Sequence, residues 1–257
     1  MTFLFADDYV SDNEDIKNVD LLNKFRKRLS RYPKKVPKYP EEFQHGVTNP
    51  HEIPGAMDLN DAFRAYDKLE IEEGYVFDYV YVKSFHGGYP LVYARLKDEE
   101  PLDDPVSYFN RYKFAENYEG YDDLASAHGW RTYLNKVTFE KSYIGSVQFA
   151  YFCSMFHRFY LYWHSLRNFW SLLLTDQDIE EFKNYMRNST ISGKEELEII
   201  DISTPIVELY GNKADVYLAM VDYLGGSLYD VRFELAYPHD YLDKEVSTIF
   251  RGSWYLF

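Results

Sequence analysis

The sequence predicts an α+β fold in which a central long aromatic helix, with flanking helices, packs on a mainly antiparallel sheet. Three observations carry this prediction. An aromatic run from Phe149 to Leu174 repeats its large side chains at helical spacing. Two stretches rich in valine and tyrosine, 75–85 and 89–96, flank a pair of glycines and indicate a hairpin. After Gly193 the sequence changes character and is typical of successive strands.

The first element is an acidic, then basic and proline-rich arm over residues 1–45, ahead of a single α+β domain predicted over residues 46–257. Eight cations and no anion lie between Lys24 and Lys38. Residues 19–30 have the spacing of a short basic amphipathic helix, and the prolines after them break helices. We therefore expect nucleic acid to be contacted, if at all, only through Lys24–Lys38, because the arm has no second basic element to complete a groove.

The next elements are helices around the first hairpin. Asp58 is a predicted N-cap for a helix that ends at Gly74. The hairpin over residues 75–96 follows, and then an acidic loop. Two further helices are predicted over residues 107–119 and 121–128, because each of these stretches is stopped by a glycine.

The predicted long helix spans residues 146–173. Beside its wide apolar face runs a stripe of small and polar side chains, which includes Ser154, His157, His164 and Asn168. The two histidines are seven residues apart and therefore about 10 Å apart along a helix axis, too far to ligate one metal. We expect no metal and no cofactor. Either the core satisfies these four polar side chains, or they line a pocket that binds a polar ligand.

The second half of the sequence carries one alternative element and two local signals. Because aromatic residues also favour sheets, residues 159–166 are an alternative strand within the long run. Thr175 and Asp178 resemble a capping box for a helix that continues to Arg187. Gly225-Gly226 is predicted to close a second hairpin. The predicted strands are 196–210, 215–224, 228–237 and 246–257.

The composition describes an acidic and aromatic-rich protein, with a formal net charge of −14 and 19% aromatic residues. A strongly acidic body repels nucleic acid and favours cationic partners. The longest apolar run carries charged residues, so no membrane span is expected, and the first residues lack the basic start of a signal peptide, so we expect a cytoplasmic protein. The predicted contacts for a basic protein partner are the acidic-loop residues Glu99, Glu100, Asp103 and Asp104.

No motif in the sequence specifies a reaction, since neither a G-x-S-x-G elbow nor a phosphate-binding glycine loop is present. We therefore expect a non-catalytic protein that binds and masks a basic partner, as immunity proteins or phage and bacterial accessory proteins do. The alternative is a small-ligand-binding protein, or a hydrolase-type enzyme, with a pocket beside the helix 146–173. A third possibility is an assembly subunit that docks through Ser253–Phe257.

Overall fold

The structure is a computed structural model that describes residues 12–31, 41–83, 87–112, 133–160, 162–163, 166–167, 170–189, 200–202, 204–223, 226–238 and 240–251. Its helices are α1 (Asp12–Leu29), α2 (Glu41–Gln44), α3 (Leu59–Phe63), α4 (Pro105–Tyr112), α5 (Tyr143–Met155) and α6 (Asp176–Arg187). Its strands are β1 (Leu69–Ile71), β2 (Tyr75–Lys83), β3 (Gly87–Leu96), β4 (Val137–Phe139), β5 (Tyr162–Trp163), β6 (Leu166–Arg167), β7 (Trp170–Leu173), β8 (Ile206–Tyr210), β9 (Lys213–Asp222), β10 (Ser227–Ala236) and β11 (Asp240–Arg251). Helices and antiparallel sheets occur together, which confirms the α+β class.

The largest sheet has five strands, all antiparallel to their neighbours. Its order is β11-β10-β9, and the far edge of β9 is shared by β8 and β7, which pair with different parts of it. Successive side chains of strand β9 point to opposite faces of the sheet, and the two faces have different surroundings. Its residues Val216, Leu218 and Met220 enter the main core, whereas Asp215 and Tyr217 belong to the opposite, outer face.

Two smaller sheets complete the strand pairing. Strands β2 and β3 form the predicted hairpin, and β5 and β6 extend it at the side of β3. Strands β1 and β4 pair separately, from Leu69 with Phe139 to Ile71 with Val137. The second predicted hairpin is confirmed as β9–β10.

Aromatic rings in edge-to-face, tilted and stacked contacts form a large part of the main core. Phe152 of α5 lies 5.8 Å from Phe77 of β2, between ring centroids, and 5.7 Å from Tyr133. Phe149, one turn earlier on α5, stacks on Phe139 of β4 with 4.3 Å between ring centroids. Such contacts add about 0.5–1.5 kcal/mol each beyond the area that they bury. The high aromatic content of the sequence is therefore used in packing between α5 and the sheets.

A second, smaller core lies on the outer face of the large sheet. Helix α6 places Ile179, Phe182 and Met186 against this face, where they meet Val221 and Leu228. Among the described residues, the apolar contacts of α6 lie on the half of the face near the β9–β10 turn and include no residue of β8. The other half, towards β8 and the opposite end of β10, carries charged side chains.

The predicted long aromatic helix over residues 146–173 is wrong beyond Met155. Helix α5 begins at Tyr143 and ends at Met155, and Tyr160 has a positive φ of 54°, which breaks the helix. The chain then forms β5, β6 and β7, so the alternative strand over residues 159–166 is confirmed in part, at 162–163 and 166, whereas 159–160 form a turn. Aromatic side chains at helical spacing fit a sheet equally well, and pairing with β3 and β9 decides between the two.

Two further predictions need correction or addition. The helix predicted from Asp58 to Gly74 is confirmed at its N-cap but ends at Phe63, because the chain pairs with β4 from Leu69. Within the predicted arm, α1 packs onto the domain through Leu22 and Phe25, which are buried in the main core. The division of the chain at residue 45 stays a prediction, and the proline-rich stretch 32–40 lies outside the described residues.

Candidate functional site

The predicted polar stripe is not carried by one helix. Ser154 lies in the last turn of α5 and His157 lies in the turn after it, both buried. The Nδ1 atom of His157 is 3.3 Å from the hydroxyl of Tyr133, inside the aromatic core. His164 and Asn168 lie outside the described residues. A ligand role for these four residues stays a prediction, but the two that are described belong to the packed interior.

The acidic loop is tied to its own neighbours. The carboxylate of Glu99 pairs with Arg111 of α4 at 2.6 Å, and this hydrogen bond lowers the pKa of Glu99. Asp104 accepts a hydrogen bond of 2.7 Å from the backbone N–H of Ser107 and so caps the start of α4. Asp103 accepts from Asn49 at 3.4 Å, and Glu100 is exposed. Partner binding by this loop stays a prediction.

A different acidic surface lies on the uncovered half of the large sheet, and we call it the acidic face. Its centre is a row of carboxylates at directly opposed positions, since Glu208 pairs with Asp215 and Asp215 pairs with Glu234. Like charges opposite one another cost about 0.2–1 kcal/mol per pair in a sheet. The described residues of the acidic face are Glu208, Asp215, Asp230, Glu234 and Glu245, the cations Lys213 and Arg232, and the apolar or aromatic Ile206, Tyr210 and Tyr217.

Two cations offset part of this charge from within the face. Arg232 donates to Asp215 at 2.8 Å, and that hydrogen bond raises the pKa of Arg232. Lys213 donates to Glu234 at 2.6 Å, which raises the pKa of Lys213. The side chain of Asp215 is only 8% exposed, and its second oxygen, Oδ1, has no hydrogen-bond partner among the described residues. Burial raises the pKa of the neighbouring Tyr210, and a hydrogen bond between its hydroxyl and Asp215 raises it further.

Tyr217 of the acidic face lies close to two of its carboxylates. Burial raises the pKa of Tyr217, and the charges of Glu208 and Asp215 raise it further. Burial disfavours a negative phenolate in any surroundings, and the two carboxylates add to this effect. Next to this ring, Ile206 is 50% exposed. The face therefore combines negative charge with aromatic and apolar area, which suits a cationic protein surface.

An open groove of about 800 Å³ borders the same sheet at β8. Helix α1 and the start of α5 form its walls, and β8 forms its third side. Its apolar side chains include Val19 of α1, Ile144 of α5, and Val207 and Leu209 of β8. Leu209 is 47% exposed, so part of this apolar lining is in contact with solvent.

A separate cleft of about 340 Å³ lies between residues 50–60 and β2. Asp78 of β2, whose side chain is 5% exposed, is bound there by two side chains. Its Oδ2 accepts from Nε of Arg95 at 2.8 Å, and both of its oxygens lie 2.9–3.0 Å from Nε2 of His51. Because a carboxylate only accepts, a neutral His51 donates from Nε2 and carries its lone pair on Nδ1. Such a histidine can accept a proton or a hydrogen bond from a small ligand.

Neither the acidic face nor the cleft was predicted from the sequence. The three carboxylates of the row lie far apart along the chain or on different strands, and only strand register aligns them. Asp78 did carry a local signal, because it is one charge inside an otherwise aromatic and valine-rich strand. A buried charge of this kind needs partners, and it marks a place worth inspecting.

Comparison of the chain with protein-family models, curated proteins and solved structures gave no match. Within the part of the chain that the structure describes, no helix is both long enough and apolar enough to cross a membrane. The same residues bring no three histidine, cysteine, aspartate or glutamate side chains together in a way that could hold a metal ion. The site must therefore be judged on its own geometry.

Proposed function

We propose that this protein binds a basic protein partner through the acidic face of its large sheet. The observation that carries the proposal is the row Glu208–Asp215–Glu234, in which like charges oppose one another and Glu208 is exposed. A sheet gains nothing in stability from such a row, whereas a cationic partner is attracted by it and is steered towards it. The exposed Ile206 and Tyr210 supply the apolar and aromatic contacts that interfaces favour.

The test compares two doubly neutralised variants with equal net charge. Glu208→Gln with Asp230→Asn removes two exposed charges from the acidic face, and Glu70→Gln with Glu73→Gln removes two exposed charges from elsewhere. Each lost surface pair is worth about 0.5–1 kcal/mol, so the face variant should bind its partner about 5–30-fold more weakly. The measurement is recovery of one basic protein from the source cell, followed by titration of the purified pair.

The salt dependence of this titration gives the second criterion. Affinity for the partner should fall as ionic strength rises, because contacts between exposed charges are screened. The control variant should bind like the parent protein at each salt concentration. If both double variants bind the partner equally weakly, the loss follows net charge alone and not the acidic face. An affinity that does not change with salt would refute the proposal.

A second candidate function follows from the cleft. A buried Asp78 that orients His51 at the mouth of a 340 Å³ space resembles the way in which ligand sites position a proton acceptor. We propose a small polar ligand with a hydrogen-bond donor as the alternative occupant. A thermal-shift screen of polar metabolites should then find compounds that stabilise the parent protein and the His45→Ala control, but not His51→Ala. Equal stabilisation of all three proteins would remove the cleft from consideration.

A further inference from the structure

Among the described residues, one backbone edge of strand β8 has no neighbouring strand. Within the described ranges β8 pairs only with β9, from Ile206 opposite Tyr217 to Tyr210 opposite Lys213. A two-residue turn joins the strands, so Tyr210 and Lys213 exchange hydrogen bonds, as every second pair after them does. The peptide groups of Val207 and Leu209 therefore point away from β9. They offer two donors and two acceptors to an added strand.

The opposite edge of the sheet is protected and β8 is not. Strand β11 carries two irregularities in its pairing with β10, and Lys244 and Glu245 lie along it. Bulges and charges are the devices by which natural sheets prevent strands from adding to an edge. Strand β8 has the sequence IVELY, a single charge and five pairs in regular register. An edge of this kind is a template for strand addition.

The two sides of β8 face different surroundings. Val207 and Leu209 line the groove beside α1 and α5, whereas Glu208 points to the acidic face. Side chains of an added strand alternate between the same two sides. One set would enter the apolar groove, and the other would lie next to Glu208 and the carboxylate row.

Contacts from the start of α5 hold this edge in place. The hydroxyl of Tyr143 donates to the carbonyl of Pro205 at 2.7 Å, immediately before β8. The ammonium of Lys141 donates to the carbonyl of Gly211, immediately after it. An edge fixed at both ends loses little conformational freedom on binding, which favours affinity.

We infer that the basic partner binds by adding one extended strand to β8, and that this strand alternates basic with apolar residues. The inference rests on the proposed function, and it specifies how the partner docks. The basic residues meet Glu208 and the carboxylate row, the apolar residues occupy the groove, and the backbone pairs with Val207 and Leu209. One segment of the partner thus contacts both the carboxylate row and the backbone edge of β8.

Two synthetic nine-residue peptides with equal composition serve as probes. One alternates lysine and valine, and the other places the same lysines and valines in two blocks. The alternating peptide should bind at least about tenfold more tightly, because only its pattern satisfies the groove and the acidic face together. Hydrogen exchange gives a direct readout, since the amides of Val207 and Leu209 should become protected and the amide of Glu208, already directed at β9, should change little.

Two substitutions at one position separate backbone pairing from side-chain contact. Leu209→Pro removes an outward N–H at a strand edge, where proline is tolerated, and should weaken the alternating peptide about tenfold or more. Leu209→Thr keeps the N–H and should retain most of the binding. Circular dichroism checks that both variants remain folded.

The outcomes distinguish this inference from the proposed function. If the alternating and blocked peptides bind equally, or if Leu209→Pro binds like the parent protein, strand addition is overturned. The acidic face is tested separately by Glu208→Gln with Asp230→Asn, which should weaken both peptides in low salt. If neither peptide responds to that pair of changes, the proposed function itself fails, whatever happens at Leu209.

Discussion

Replacing Asp78 by alanine removes an acceptor that three donors share. Nε of Arg95 donates to it at 2.8 Å, the backbone N–H of Tyr79 donates at 2.9 Å, and Nε2 of His51 lies 2.9 Å away. Arg95 is 14% exposed, so its charge remains largely buried once the carboxylate is gone. The variant therefore tests whether this network stabilises the fold or exists mainly to position His51.

The expected loss follows from these contacts. Breaking a buried ion pair by removing one partner costs about 3–5 kcal/mol. Arg95 keeps hydrogen bonds from Nη1 to the carbonyls of Leu96 and Glu99, and the cleft admits water, so the lower end applies. A loss of about 3 kcal/mol corresponds to a fall in Tm of about 6–12 °C for a domain of this size.

Urea unfolding followed by circular dichroism measures this loss. Asp61→Ala is the control, because it breaks the exposed pair with Arg64 and should cost under about 0.5 kcal/mol. Asp78→Asn keeps an acceptor oxygen and should lie between the two, so it gives a value if the alanine variant does not fold. A loss below about 1 kcal/mol for Asp78→Ala would refute a stabilising role for the network.

Three further predictions concern packing, charge and capping. Gly88→Ala places a Cβ within 2.6–2.7 Å of ring atoms of the buried Tyr81, and urea unfolding should show a loss of about 1–3 kcal/mol. Glu99→Gln should lower Tm slightly at neutral pH. Since Arg111 lowers the pKa of Glu99 below its ordinary 4.5, this stabilisation is present above that value and is lost as pH falls through the lower folded pKa. Thr175→Ala removes the N-cap of α6 and should cost about 1 kcal/mol in thermal unfolding.

For each of these predictions, one outcome would contradict the reasoning. Unchanged stability of Gly88→Ala would mean that the Tyr81 ring moves freely, although its hydroxyl is bonded to the carbonyl of Tyr160. A Tm difference for Glu99→Gln that grows towards acid pH would reverse the expected sign of the linkage. For Thr175→Ala, a value equal to the parent protein would show that Asp178 alone is enough to begin the helix.

Local signals in the sequence predicted the fold well where contacts are short in range. Asp58 and Thr175 cap helices as expected, and both hairpins form, because caps and tight turns depend on neighbouring residues. The long helix failed after Met155, where aromatic spacing is compatible with both helix and sheet. Pairing of β7 with β9 joins segments that are distant in the chain, and no local pattern contains that information.

The candidate sites were harder to predict than the fold. The contacts for a basic partner were predicted in the loop around Glu99, and that assignment stays a prediction; the Glu99 carboxylate is paired with Arg111. The opposed row of Glu208, Asp215 and Glu234 depends on the register of three strands. Register follows from tertiary packing, so composition alone does not show that these three carboxylates are neighbours.

The contacts of α1 have a consequence for synthesis of the chain. Arg26 donates to Asp178 and to Glu181 of α6, which lie more than 150 residues later, and Leu22 is buried in the main core. At about 5–20 residues per second, a ribosome needs about 8–30 s to deliver these partners after α1 emerges. Until then the contacts of Arg26 with α6 cannot form, whereas Phe25 can already meet the ring of Tyr66. We therefore expect the contacts between α1 and α6 to form only after translation has passed Glu181.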